Sequence, residues 1–170
     1  RGSAGGWCDR GGAPAAAASL IGDPAGQVLA ALEAIARIPG CNLLRSSSLF
    51  GSAPLEAPGQ PDYVNAVAMI ETALAPLALL GSLLDLESLF GRTRSFPNAP
   101  RTLDLDLLLF GDETLDLPDL RLPHPRMHLR RFVLEPLVEI APGATVPGHG
   151  SAASLLVALA SQSLYRLAAA

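Results

Sequence analysis

Asp104 and Asp106 stand two residues apart within the segment Leu103–Phe110. On a strand, side chains alternate faces, so both carboxylates point the same way, about 6.6 Å apart along the chain at ~3.3 Å per residue. Leu103, Leu105, Leu107 and Leu109 fall on the opposite face, while Leu108 and Phe110 make the carboxylate face apolar beyond the pair. Two like charges at the rim of a core repel and lose solvation unless a cation compensates them. Magnesium does so, taking one or two carboxylates and completing its shell with phosphate oxygens and water. Arg101 precedes the pair, and Arg92 and Arg94 lie in the adjoining loop. A guanidinium pairs with phosphate through two bonds at once. Types and spacing therefore suit metal-bound polyphosphate. The same spacing also fits a half-exposed strand with aspartates on its polar face and arginines in surface ion pairs.

The elements that must position these groups follow from hydrophobic periodicity. Ala15–Ile21 is expected to be a strand, although alanine is a poor strand former. Asp23 and Pro24 suit the cap and first position of a helix that carries Val28, Leu29, Leu32, Ile35 and Ala36 and runs to about Arg37. Pro39-Gly40 stops it. Cys41–Phe50 and Tyr63–Thr72 are predicted as strands around a Pro/Gly-rich loop, 51–61. Pro76 opens a second helix through Leu89, with Leu79, Leu80, Leu83, Leu84 and Leu86 on its apolar side. Gly111-Asp112 is predicted as a hairpin turn after the Leu103–Phe110 strand. A short helix over Arg131–Ile140, broken near Pro136, and a last helix over Ser151–Ala160 capped by Ser151 complete the chain. The order β-α-β-β-α-β, with C-terminal additions, predicts an α+β fold: a ferredoxin-like antiparallel sheet with helices packed on it.

Composition narrows the function. The 170 residues are 49% hydrophobic and include 12 basic and 16 acidic side chains, for a net charge of −4. A core is available, and a single domain over 15–170 is expected behind a flexible, glycine-rich lead-in, 1–14. Every basic residue is arginine, which excludes Schiff-base and lysine-nucleophile chemistry, and no GxxxxGK[ST] string is present. The negative charge argues against nucleic acid or an anionic membrane as partner. No apolar run reaches the ~18 residues of a membrane span. The two cysteines, Cys8 and Cys41, form neither a disulfide framework nor a zinc site, so the expected compartment is the reducing cytoplasm. The chain opens on Arg1 and not Met, so an upstream tag, initiator segment or fused domain is expected.

Four blocks in order carry a more specific signal. Pro100-Arg101-Thr102-Leu103-Asp104-Leu105-Asp106-Leu107-Leu108 closely resembles the signature of the 6-hydroxymethyl-7,8-dihydropterin pyrophosphokinases of folate biosynthesis. Gly59–Ala66, Leu122–Met127 and Arg131–Leu137 agree with the same family, and the similarity runs from about Gly22 to Pro142. The resemblance implies transfer of the β,γ-pyrophosphoryl group of ATP to the 6-hydroxymethyl oxygen of 7,8-dihydropterin, releasing AMP. It implies two magnesium ions on Asp104 and Asp106, and charge stabilisation by Arg92 and Arg101. Glu87, Arg94, His124 and Arg130 fall where the family contacts ATP; Ser52, Leu55, Tyr63, Asn65 and Phe132 fall where it holds the pterin. Fusion to, or work beside, another folate-pathway enzyme is the partner it implies. Read without the family, Leu55, Tyr63 and Phe132 are also ordinary core residues and His124 a turn residue, whereas Asn65 inside an apolar strand needs polar partners.

Three departures from the family pattern leave an alternative open. Ala18-Ser19-Leu20-Ile21-Gly22 stands where Gly-Ser-Asn-Leu-Gly is usual. The loop Ser95–Pro100 is one residue shorter and lacks the usual Arg-Trp pair, although Phe96 offers an aromatic. Ser52-Ala53 replaces Thr-Pro or Ala-Pro, keeping the hydroxyl and losing the stiffening proline. The alternative is a catalytically impaired relative that binds nucleotide or pterin.

Overall fold

The computed structural model describes residues 15–22 (backbone), 25–53, 62–91 and 103–168. The lead-in 1–14, the Asp23 cap with Pro24, and the segments carrying Leu55, Arg92, Arg94 and Arg101 lie outside the described residues. In chain order the elements are β1 (Ala15–Gly22), α1 (Ala25–Ala36), β2 (Cys41–Ser46), β3 (Phe50–Ser52), β4 (Tyr63–Thr72), α2 (Pro76–Gly91) and β5 (Leu103–Phe110). They continue with β6 (Leu115–Asp116), β7 (Arg121–Leu122), a 3-10 turn (Met127–Leu129), α3 (Arg131–Ile140), β8 (Thr145–Val146), β9 (Gly150–Ser151), α4 (Ala152–Val157) and β10 (Tyr165–Arg166).

The main sheet is antiparallel throughout, in the order β10-β3-β4-β1-β5, with β2 also paired to β4. Helices cover both faces. Val28, Ala31, Leu32 and Ile35 of α1 and Leu79 and Leu83 of α2 pack with Ala66, Ala68, Ile70, Leu103, Leu105 and Leu107. On the other face Val133, Leu134 and Leu137 of α3 pack with Val67, Met69, Leu108 and Leu109. This two-sided burial explains why β4 is apolar almost without alternation. It also makes the sheet a fixed platform for the polar residues at its ends.

Several expectations are corrected. The single strand Cys41–Phe50 is two strands, because Ser47 enters the ladder with its side chain: its Oγ accepts from Val67 N at 2.9 Å and donates to Ser48 O at 2.8 Å. The helix over Arg131–Ile140 is not broken at Pro136; the proline is buried, and apolar packing along the helix outweighs its missing N–H. Leu84 in α2 is exposed, and the last helix stops at Val157 rather than Ala160, though Ser151 caps it, accepting from Ser154 N at 3.1 Å. The chain turns at Gly111-Asp112, with Gly111 at φ 57° and Glu113 N donating to Phe110 O at 3.1 Å. No hairpin with β5 follows, because β6 pairs with β7. Finally, the β1–β5 register shifts so that Ala18 faces Leu107 and Ala17 faces Leu109, leaving Leu108 as a bulge. The bulge moves Leu109 to the carboxylate side and Phe110 to the α1/α2 side, reversing their expected faces.

Candidate active site

The carboxylate pair sits on β5, an edge strand of the sheet among the described residues, where two backbone groups are engaged from other parts of the chain. Glu87, in the last turns of α2, accepts from Leu105 N at 3.4 Å. His124 N donates to the carbonyl of the bulged Leu108 at 2.9 Å. The strand thus gathers Glu87, Asp104, Asp106 and His124 around one cleft of about 450 Å³ between α2 and the β6–β7 hairpin. Leu80, Leu84, Pro118, Asp119, Leu120 and Arg121 also line it. The hairpin's contribution is absent from the sequence reading, although Pro118-Asp119 between alternating leucines is a turn signal.

The His124 ring is set up as a neutral donor. Burial pushes its pKa below the ordinary histidine value of 6.5, Asp106 pulls it back up, and Arg130 and Arg126 push it down again. Its Nδ1 accepts from Arg126 N at 3.2 Å, so the proton of the neutral ring belongs on Nε2. Asp104 and Asp106 are half-buried on the same face. Among the described residues no three His, Cys, Asp or Glu side chains converge as a metal cage. Magnesium needs only one or two carboxylates when phosphate and water supply the rest, so this donor set fits it.

A second cluster occupies the other end of the same cross-strand row. Asn65 on β4 is level with Ile21 on β1, and Ile21 is level with Asp104 on β5. Asn65 therefore shares the carboxylates' face, about 10 Å from Asp104 at two strand spacings. The Asn65 amide is 1% exposed. Its Nδ2 donates to Ser52 Oγ at 2.8 Å, Phe50 O at 3.2 Å and Tyr63 O at 3.4 Å, while its Oδ1 has no partner among the described residues. Ser52 is buried, level with Tyr63, whose ring is half-exposed. Phe132 leads α3, partly buried against the core, with the Arg130 guanidinium 5.5 Å from its ring centre. The structure thus brings Ser52, Tyr63 and Asn65 together, and Phe132 with Arg130.

Beyond the geometry, the sequence profile of 7,8-dihydro-6-hydroxymethylpterin-pyrophosphokinase (HPPK) matches residues 16–142. The chain belongs to the HPPK family. The 2-amino-4-hydroxy-6-hydroxymethyldihydropteridine pyrophosphokinase of Pseudomonas aeruginosa is 44% identical over 149 residues, 88% of this chain and 92% of that protein. The enzyme of the same name from Haemophilus influenzae is 42% identical over 149 residues, 88% of this chain and 93% of its own. Among solved structures, Plasmodium falciparum HPPK-DHPS with pteroate superposes with a TM-score of 0.69 at 12% identity, covering 85% of this chain. This HPPK chain spans 42% of that longer protein, and the likeness is one of fold. No helix among the described residues is long and apolar enough to cross a membrane.

Proposed function

We propose that this HPPK-family chain transfers the pyrophosphoryl group of ATP to the hydroxymethyl group of 6-hydroxymethyl-7,8-dihydropterin in folate biosynthesis. The hydroxymethyl oxygen bonds to the β-phosphorus and gives its proton to water, the bond from the β-phosphorus to the α,β-bridging oxygen breaks, and AMP leaves with that oxygen. The observation that carries this reading is the row Asn65–Ile21–Asp104, with an amide at one end and the acidic pair at the other, on one face of a rigid sheet.

Each residue then has a role. Asp104 and Asp106 hold magnesium, two ions by family resemblance, which when bound neutralises charge on the ATP phosphates. Arg92 and Arg101 pair with the transferring group. Glu87, Arg94, His124 and Arg130 contact ATP, His124 as an Nε2–H donor that adds no positive charge of its own. Ser52, Leu55, Tyr63, Asn65 and Phe132 hold the pterin. The Asn65 Oδ1 is a buried acceptor that an N–H on the pterin's edge satisfies, and Tyr63 or Phe132 stacks on its rings. Transfer of this kind needs little covalent chemistry from the protein and depends on positioning and charge. The strand order and alternating directions support a ferredoxin-like core within one domain, 15–170. We place the reaction in the cytoplasm, with the chain fused to or working beside another folate-pathway enzyme.

The test is AMP release from ATP and magnesium, with and without 6-hydroxymethyl-7,8-dihydropterin. Pterin-dependent AMP is expected, falling about 100-fold or more in Asp104→Ala. A folded protein that binds ATP but releases no AMP would instead be a binding module.

A further inference from the structure

The C-terminal strand lies outside the family-matched span 16–142, yet it meets the chain at the pterin side of the site. We propose that β10 is a positioning strand for pterin binding, with Tyr165 holding together the two backbone stems, Gly51–Ser52 and Asp62–Tyr63, that flank Asn65. The proposal rests on the pterin assignment above.

β3 is only three residues long, and a strand that short holds its place poorly without pairing on both sides. β4 pairs one side of it, and β10 pairs the other: Tyr165 faces Gly51, Arg166 faces Phe50, and Leu167 N donates to Leu49 O at 2.9 Å. The Tyr165 ring lies directly on the Gly51 backbone, where a Cβ would overlap ring atoms, so glycine here serves close approach. From that seat the phenol reaches across to the second stem, donating to Asp62 Oδ2 at 2.8 Å. The same bond raises the phenol's pKa above its ordinary value.

Arg166 anchors the strand from the other side. Its Nη2 donates to Glu139 Oε2 at 2.9 Å, and its guanidinium lies 5.8 Å from the Phe50 ring centre. Glu139 Oε1 in turn accepts from Ser48 N at 2.7 Å and Ser48 Oγ at 2.8 Å, just before β3. These contacts are exposed, with 47% of Tyr165 accessible, and exposed polar pairs add little to global stability. What they share is location. Phe50 O and Ser52 Oγ, on the strand that β10 braces, orient the Asn65 amide, and loss of preorganisation in a ligand's contacts weakens its binding.

Tyr165→Phe keeps the ring on Gly51 and deletes the bond to Asp62. Steady-state kinetics of the full chain should show the KM for 6-hydroxymethyl-7,8-dihydropterin rising about three- to tenfold. The KM for ATP, kcat and Tm should stay near wild type. Asp62→Ala, which removes the acceptor, should reproduce the effect, and the double variant should add little to either single change. Absorbance titration should show the Tyr165 phenol pKa falling in Asp62→Ala. A pterin KM unchanged in Tyr165→Phe, or ATP and pterin KM rising alike, overturns the positioning role while leaving the proposed reaction intact. A wild-type chain without pterin-dependent AMP release overturns that reaction instead.

Discussion

Asn65 occupies a site where an apolar side chain would avoid the desolvation of a buried amide, a cost of about 1–3 kcal/mol for each polar group left unpaired. Its donors are met by Ser52 Oγ and by the Phe50 and Tyr63 carbonyls, while its buried acceptor has no partner among the described residues. A second residue-scale feature lies away from the site. His128 and His149 stack with ring centres 3.8 Å apart and planes 13° from parallel. Burial first, and then the neighbouring His149, lower the His128 pKa below 6.5. The unfolded chain therefore binds a proton more readily than the folded one as pH falls below that value, and stability is lost as pH drops through the folded pKa. His124 contributes with the same sign. Calorimetry between about pH 7 and pH 5 should show a shallower acid-side fall of Tm in His149→Gln than in the wild type. Identical slopes would remove the stacked pair from the account.

At the scale of elements, α3 shows how one helix is held from outside itself. Its N-cap, Arg130, makes no side-chain cap bond. Gln162 takes that place from a distance: its Oε1 accepts from Arg131 N at 2.9 Å, and its Nε2 donates to Leu129 O at 2.8 Å. Arg131 returns the contact, donating from Nη1 to Gln162 O at 2.6 Å and from Nε to Glu135 at 2.7 Å. The helix entrance so fixed carries Arg130 and Phe132, proposed above to contact ATP and pterin. Gln162→Ala should lower unfolding stability by about 1–2 kcal/mol, as measured by denaturant titration, because it leaves a helix donor uncapped. A loss below about 0.3 kcal/mol would mean that water accepts from Arg131 N in its place.

At the scale of the molecule, the edge strand β5, the α2 C-terminal turns and the β6–β7 hairpin line one cleft only in the folded state, so the nucleotide binding proposed there would be linked to folding. A magnesium complex of a non-hydrolysable ATP analogue at about 100 times its Kd should add roughly 2.7 kcal/mol. That corresponds to a Tm rise of about 5–10 °C for a domain of this size. Omitting magnesium should remove most of the rise, since the carboxylates would then face the phosphates unscreened. An unmoved Tm in both conditions would mean that the acidic cleft binds no nucleotide.

Local chemistry suffices for much of this. Apolar periodicity locates α1, α2, β4 and β5, and the spacing of Asp104 and Asp106 puts both on one strand face, because these patterns depend only on near neighbours along the chain. The ordered blocks also identify the family. Other features depend on partners far away in sequence and are not legible locally. Ser47 breaks a strand by bonding to Val67, the bulge at Leu108 exchanges the faces of Leu109 and Phe110, and packing carries α3 through Pro136. The level row from Asn65 to Asp104 is a matter of register, which the pairing of three strands sets jointly. The seat of Tyr165 on Gly51 joins residues more than a hundred positions apart, and only the closed sheet brings them into contact.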